Sequence, residues 1–375
     1  MIKKLVAFLM IGGAAVFLCF AISGQDIANR DYISYWASGR LLLHHQNPYD
    51  PAALLAVEKS AGYSSQRAEM MRNLPVALWV AIPLGLFPAR LGAALWSLAI
   101  VALLMASVRM LWTIHGRQPG RVHLLGYLFP PALATILAGQ TSAFLLFGIS
   151  AFLLLHKRRP FLAGAALAIC AIKPHLFLPL AAVFLLWIFA ERSYRVLAGA
   201  VASLAAMLLS CIVLRPSIWH DYRAMMGSEN LSVPTLSSLF RLLIHPQWMW
   251  LQYVPMAVAC WWAVSYFLSH REEWEWRTHG SLLLLVCILT APYAWFTDEA
   301  VLLPAILAGI YASSGAALIG YEVVAGAALL EVLFGVPLFS SFYLWTPLAW
   351  MGWYLMAMAR RHPAPVRDAI AAHSA

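Results

Sequence analysis

Long apolar runs separated by short polar segments extend along the chain from residue 5 to residue 358. Backbone in lipid must form helices or a closed barrel, and unbroken apolar runs favour helices. A helix needs about 20 residues to cross the hydrocarbon core. The pattern predicts about twelve transmembrane helices, at residues 5–23, 90–112, 122–138, 141–155, 161–173, 175–190, 196–214, 251–268, 280–292, 299–312, 315–335 and 339–358.

Basic residues in the short loops indicate the orientation. If Lys3 and Lys4 are inside, every other short basic loop is also inside, as the positive-inside rule requires. These loops contain Arg117, Arg121, Lys157, Arg158, Arg159, Arg192, Arg195, Arg271, Arg277, Arg360 and Arg361. We therefore expect cytoplasmic termini, a cytoplasmic tail at 359–375, and two long outer loops at 24–75 and 215–250.

Composition supports a single integral membrane domain over residues 1–375. The chain is 62% apolar and 11% charged, with a mean hydropathy of +0.76, which excludes ordinary soluble, disordered and collagen-like classes. The net charge of +9 is dispersed among short loops, so a nucleic-acid partner is rejected. All five cysteines lie in apolar runs without a CxxC pair, so neither disulfides nor a zinc site is expected.

The first apolar run resembles a signal peptide, but the many later runs favour an uncleaved first helix.

One apolar segment, Leu74 to Phe87, is too short for a span and contains Pro83. A full span here would place the loop containing Arg117 on the outer side, against the positive-inside rule. We interpret it as a re-entrant or partial helix. Prolines also interrupt several predicted spans, and broken helices of this kind usually line a cavity.

The first outer loop predicts two amphipathic helices lying along the outer membrane surface. Asp31 precedes a helix from Tyr32 to about His45 and is placed to cap it. Asp50 and Pro51 start the second helix, with a cap followed by proline at the first position.

Polar residues on the outer side concentrate at three points: Asp26 and Asp31, Lys173 to His175, and Asp298 with Glu299. Lys173 lies about 18 Å along its predicted helix, below the outer surface. Its ammonium either snorkels to the interface or binds a lipid phosphate at the mouth of a cavity. Asp31 is either a helix cap alone or a functional carboxylate facing water. Glu322 and Glu331 lie within a predicted span, and no partner is assigned to either.

Sequence motifs for metal or nucleotide chemistry are missing. The histidines lack HExxH spacing, and no GxGxxG, P-loop or GxSxG motif occurs. No metal site or other cofactor is expected, although Asp26, Asp31, Asp298 and Glu299 would suit a divalent ion if they converged.

Five segments, in order, resemble bacterial glycosyltransferase family 87, whose members use polyprenyl-phosphate hexoses. They are "RDYISYWASGRLLLHHQNPYDPAAL", "LPVALWVAIPLGLFP", "GQTSAFLLFGISAFLLL", "LAGAALAICAIKPHLFLPLA" and "LTAPYAWFTDEAVLLPAIL". The segment "SENLSVPTLSSLFRLL" departs from the Asn-Gln-Ser version of the family. The resemblance covers most of residues 25–310.

The resemblance implies a GT-C-like membrane enzyme that takes a hexose, commonly mannose, from a polyprenyl-phosphate donor at the periplasmic face of the bacterial inner membrane. An acidic residue of the first outer loop, here Asp31, would accept the proton of the attacking acceptor hydroxyl. Lys173 would stabilise the departing phosphate, with His175 or Arg215 as helpers. Direct attack on a β-linked donor would invert the anomeric centre. The acceptor would be a glycolipid or glycan.

Two other functions also fit a lipid-linked sugar substrate. A transporter or flippase would equally have broken helices and a buried lysine, but it does not require a structured outer loop containing a carboxylate. A lipid-linked glycan polymerase or ligase also works at the outer leaflet.

Overall fold

The computed structural model describes residues 30–117, 122–227, 235–313 and 315–359. The predicted first span at 5–23, Asp26 and nearly all of the tail lie outside these residues. The described chain contains no β-strand and is helical almost throughout. This agrees with the predicted all-α class.

Sixteen α-helices occur in the described residues. They are α1 Tyr32–Leu43, α2 Pro51–Ser60, α3 Leu78–Gly85, α4 Ala89–Ile114, α5 Pro130–Ala138, α6 Ser142–Leu155, α7 Pro160–Leu167, α8 Leu178–Ala190, α9 Tyr194–Leu214, α10 Ile218–Gly227, α11 Leu236–Ile244, α12 Val254–Ser269, α13 Trp276–Thr290, α14 Leu303–Ala312, α15 Ala316–Leu333 and α16 Thr346–Ala359. Short 3-10 helices lie at Pro75–Ala77, Val122–Leu128, Ala168–Ile172, Pro174–Leu176, Met249–Tyr253, Arg271–Glu273, Phe296–Leu302 and Ser341–Trp345.

Twelve full transmembrane helices are not confirmed. Within the described residues, four helices are long and apolar enough to cross a membrane: Ala89–Ile114, Tyr194–Leu214, Met249–Ser269 and Ala316–Leu333. The other apolar helices are shorter, and prolines explain several of the breaks, because proline lacks an N–H group and disfavours helix before it. Pro174 follows the 3-10 turn that ends the α7 segment, and Pro304 lies at the start of α14. The segment at Leu74 to Phe87 forms a short helix, as predicted.

The prediction of a surface position for α1 is wrong. Ten of its 12 residues are buried, on all sides of the helix. The reason is the close crossing with α3, where Gly39 and Gly85 bring the two backbones together. A Cβ added at Gly39 would lie 1.9 Å from the carbonyl oxygen of Ala81. By contrast, α2 buries only Leu54 and Glu58, and Asp50 caps it through the amides of Ala52 and Ala53 at 2.8 and 3.1 Å.

Three helices run between two distinct ends of the molecule. At one end, α6 begins at Ser142, α8 follows the Lys173-Pro174 break, and α13 ends before Pro292. At the other end, rings from the same helices meet in one aromatic cluster, made of Phe152, Phe184, Trp187 and Trp276. The 14-residue α6 separates these ends by about 20 Å.

Glu331, one of two acids predicted within a span, accepts a hydrogen bond from Nε1 of Trp345 at 3.1 Å. Glu322 is exposed on α15.

Candidate active site

A cavity of about 280 Å³ opens where the broken helices meet. Three of the predicted site residues, Asp31, Lys173 and His175, line it. The walls come from the segment before α3, the α5–α6 turn, the Lys173-Pro174 break and the segment after α13.

Asp31 lies at the start of α1, and contacts to neighbouring segments fix that helix. The hydroxyl of Tyr32 donates to the carbonyl of Ala89 at 2.8 Å, and Nε1 of Trp36 donates to the carbonyl of Phe87 at 2.9 Å. The Asp31 side chain makes no capping hydrogen bond to α1. The prediction that it caps the helix is therefore wrong, because its carboxylate turns instead toward Gln140.

Gln140 joins the two halves of the site. It follows Gly139, which ends α5 with a φ of 70°, a left-handed conformation that favours glycine. Its amide nitrogen donates to Asp31, and its amide oxygen accepts from the Tyr35 hydroxyl and from Nζ of Lys173, both at 3.1 Å. These partners fix which end of the amide faces which neighbour.

Lys173 and Asp298 form a buried ion pair beneath the cavity. Nζ of Lys173 lies 2.6 Å from Oδ1 of Asp298, and their side chains are 6% and 0% exposed. Ser142 donates to the same Oδ1 at 2.7 Å, and the amide of Trp295 donates to Oδ2 at 3.0 Å. Pairing and hydrogen bonding offset the cost of burying both charges. The Lys173 ammonium has three protons, and its hydrogen bonds to Gln140 and Asp298 use two of them.

Asp31, Gln140, Lys173 and Asp298 thus form one continuous hydrogen-bonded chain, which we call the outer network. The negative charge of Asp298 is balanced by its ion pair with Lys173. Asp31, by contrast, is linked to Lys173 only through the amide of Gln140, which is bonded to both. Burial, reinforced by the nearby negative charge of Glu69, raises the pKa of Asp31 to about 6. At neutral pH Asp31 is therefore mostly ionised, yet basic enough to accept a proton.

The remaining predicted site residues are distributed differently. His175 lines the cavity with its ring 5.2 Å from that of Tyr293, and its buried Nε2 has no hydrogen-bond partner among the described residues. Arg215 does not line the cavity; it bonds Asp221 and the carbonyl of His45.

Glu299 faces away from its neighbour Asp298. Its carboxylate accepts hydrogen bonds from Thr346 at 2.6 Å and from Nε1 of Trp350 at 2.9 Å. Asp31, Asp298 and Glu299 therefore do not converge on a common point, and Asp26 is outside the described residues. No group of three or more metal-ligating side chains is found in the described ranges.

Several cavity residues were missed by sequence reasoning, namely Tyr35, Glu69, Arg72, Asn73, Gln140 and Tyr293. Glu69 to Asn73 belong to an irregular stretch whose position depends on tertiary contacts. The carboxylate of Glu58 accepts from the amide of Glu69 at 3.1 and 3.2 Å, and Asn73 donates to the carbonyl of Ile172 at 3.3 Å. The signal available for Arg72 and Asn73 was the polar run "RN" directly before the proline-bounded segment. For Gln140 it was its place in the segment "GQTSAFLLFGISAFLLL".

The fold and the site thus define a helical membrane protein with a partly open cavity that is lined by several charged and polar side chains. The family model for glycosyltransferase family 87 matches residues 74–319, more than half of the chain. The chain belongs to this family and is a glycosyltransferase, which implies a sugar donor and an acceptor as substrates. No curated protein and no solved structure shows a significant match to the chain.

Proposed function

We propose that the protein transfers a hexose, with mannose as the first candidate, from a polyprenyl-phosphate donor to a hydroxyl group of a glycolipid or glycan acceptor. The observation that supports this proposal is the outer network, in which the Asp31 carboxylate and the buried Lys173 ammonium line the same cavity.

The reaction is a single displacement at the anomeric carbon. The acceptor hydroxyl oxygen forms the new bond to that carbon, and the bond from the carbon to the phosphate oxygen breaks. Asp31 takes the hydroxyl proton, and the electron pair of the broken bond leaves with the polyprenyl phosphate. Attack on a β-linked donor leaves an α-glycoside, so the anomeric centre is inverted.

The leaving phosphate gains negative charge that cations at the cavity stabilise. Lys173 has one N–H left for this role after bonding Gln140 and Asp298. His175 would contribute a hydrogen bond from its unpartnered Nε2 rather than a charge. Arg72 lines the same cavity, whereas Arg215 does not, so Arg72 is the better candidate. The planar guanidinium presents two N–H groups that can bond two oxygens of one phosphate.

The size of the cavity favours a lipid-linked donor. A volume of about 280 Å³ is at the lower limit of small-molecule pockets, which start at roughly 300 Å³. The cavity therefore suits a sugar and its phosphate, and the polyprenyl chain would lie in the surrounding bilayer. No nucleotide-binding domain is needed, because the phosphate comes with the lipid.

The distribution of charge favours a periplasmic site in the bacterial inner membrane. The basic residues Lys157, Arg192 and Arg195 follow the ends of α6 and α8 that lie away from the cavity. The positive-inside rule assigns that basic end to the cytoplasm, so the cavity belongs to the periplasmic half, and both termini would be cytoplasmic.

The donor class is tested with membranes that contain the full-length protein and extracted native lipids. Label should move from polyprenyl-phosphate mannose into a new glycoside in wild-type membranes and not in membranes lacking the protein. Transfer from a labelled nucleotide sugar, with the polyprenyl phosphate removed, would contradict the proposal. Relocation of labelled donor without a new glycosidic bond would instead indicate a flippase.

A further inference from the structure

A second cavity, which we call the basic cavity, lies at the opposite end of α6 and α8. Its volume is about 730 Å³. The walls come from the loops after α6, α8 and α12 and from the start of α13. Neither the family match nor the proposed transfer reaction assigns a role to this end of the protein.

Two buried hydrogen-bond donors in this cavity lack an acceptor. Trp274 and Trp276 both line it, and the Nε1 atom of each has no hydrogen-bond partner among the described residues. Trp276 is only 2% exposed. Buried polar groups in proteins are almost always hydrogen-bonded, so two unpartnered N–H groups at one cavity favour an acceptor ligand there, as the unpartnered Nε2 of His175 does at the first cavity.

Cations surround these donors. Arg192, Arg195 and Arg271 are exposed at the cavity, and none of them forms an ion pair with another described residue. Lys157 also lines the cavity but is paired with Glu275. Apart from the Lys157–Glu275 pair, three arginines face the two carboxylates of Glu191 and Glu272, which leaves the cavity with a net positive charge. The unmet acceptor is therefore expected to be an anion.

Exposed apolar side chains also lie beside the cavity. Pro160 lines it and is followed by Phe161 and Leu162, which are 48% and 47% exposed. Tyr194 lines it and contacts the ring of Phe189, which is 62% exposed. In a bilayer these side chains would contact acyl chains, whereas a site for a soluble anion would not need them.

We propose that the basic cavity binds the head group of an anionic phospholipid. Its phosphate oxygens accept from the indole N–H groups of Trp274 and Trp276 and from the arginines, and its acyl chains lie along Phe161 and Phe189. Basic pockets between transmembrane helices on the cytoplasmic side are suited to anionic head groups. The site is separate from the outer network and independent of the transfer reaction.

The test is native mass spectrometry of the purified full-length protein titrated with phosphatidylglycerol or phosphatidylcholine. We expect clearly tighter binding of phosphatidylglycerol. The triple variant Arg192→Ala/Arg195→Ala/Arg271→Ala should weaken that binding by roughly a hundredfold, from the contribution expected of each cation near a membrane surface. Trp276→Phe keeps the ring but removes the N–H, and should weaken binding by about tenfold.

The matched control is Arg158→Ala/Arg159→Ala/Arg277→Ala. It removes the same charge from the same end of the protein, but these residues do not line the cavity. It should change phosphatidylglycerol binding by less than about threefold. Equal losses in the two triple variants would overturn the proposal by showing general charge attraction. So would equal binding of the two lipids, or displacement of phosphatidylglycerol by millimolar inorganic phosphate, which would indicate a soluble anion. Circular dichroism checks that each variant folds.

Discussion

The two ends of α6 differ in how their polar groups are satisfied. At the outer end, Ser142 joins a chain in which Asp31, Gln140, Lys173 and Asp298 are each bonded to another member. At the basic end, Trp274 and Trp276 keep unused N–H groups beside unpaired arginines. The four members of the outer network are preorganised by the protein alone, which suits charge development during a reaction, while His175 beside them keeps an unpartnered Nε2. The basic end is incomplete without an anion, which suits a stable ligand.

The largest effect is expected from breaking the buried ion pair of the outer network. Asp298→Ala leaves the Lys173 ammonium buried without a counterion, which should cost about 3–5 kcal/mol of the free energy of unfolding. Denaturant titration of the purified protein measures this cost. Asp221→Ala is the control, since its partner Arg215 is partly exposed, and it should cost about 1 kcal/mol. Similar losses in both variants would contradict the view that Asp298 is the essential counterion.

Next in size is the glycine crossing that brings α1, and with it Asp31, to the cavity. Gly39→Ala forces a Cβ against the carbonyl of Ala81, and we expect a loss of about 3 kcal/mol of unfolding free energy. Thermal unfolding compares it with Gly326→Ala in α15, where no atom lies within 4 Å of the added Cβ. The control should be neutral or slightly stabilising, because alanine favours helix. A neutral Gly39→Ala would show that the crossing is not tight.

A smaller effect is expected at Gln140, which we regard as a positioning residue. Gln140→Leu removes the hydrogen bond that orients Asp31 and favours its ionised form. We expect kcat to fall by about 10- to 100-fold, with little change in KM for the donor. The acidic limb of the pH–rate profile should move to higher pH, because the pKa of Asp31 rises. A purely structural role would lower activity without that movement.

The smallest effect is a shift of the acidic limb of the pH–rate profile to lower pH, opposite to the shift expected for Gln140→Leu. Glu69→Gln removes a negative charge that raises the pKa of Asp31, so the acidic limb should move from about pH 6 to lower pH, by less than about one unit. Below its pKa Asp31 already holds a proton and cannot accept another, so a lower pKa keeps the enzyme active to lower pH. Glu191→Gln, at the basic cavity, is the control and should leave the profile unchanged. A shift to higher pH with Glu69→Gln would contradict the assignment of the limb to Asp31.

The sequence predicted much of the site and less of its surroundings. Asp31, Lys173 and His175 stand out because charged residues next to apolar runs are costly unless they are used, and all three line the cavity. Gln140 was missed because an uncharged amide in an apolar segment has a much lower burial cost than a charge and so does not stand out. Arg72 and Glu69 were missed because their irregular segment has no periodicity, and its position depends on distant contacts such as Asn73 with Ile172.

The fold errors have a similar origin. The helix α1 was expected at the membrane surface because Tyr35, Trp36 and Gly39 suggested one apolar face. Ser34 and Ser38 on the other side are small and are buried as well. Twelve full spans are not confirmed, because prolines divide several of the apolar runs into helices shorter than 18 residues.

The most direct test of the central claim, that Asp31 is the base at the outer cavity, is sugar transfer by Asp31→Asn compared with Asp50→Asn. Both changes neutralise a carboxylate in the first outer loop, but Asp50 only caps α2. Rates are measured in membranes with matched amounts of folded protein and labelled polyprenyl-phosphate mannose. We expect Asp31→Asn to lose at least about 100-fold in rate and Asp50→Asn to stay close to wild type. Full activity of Asp31→Asn would contradict the account and direct the search for a base to Glu69, the other carboxylate on the cavity.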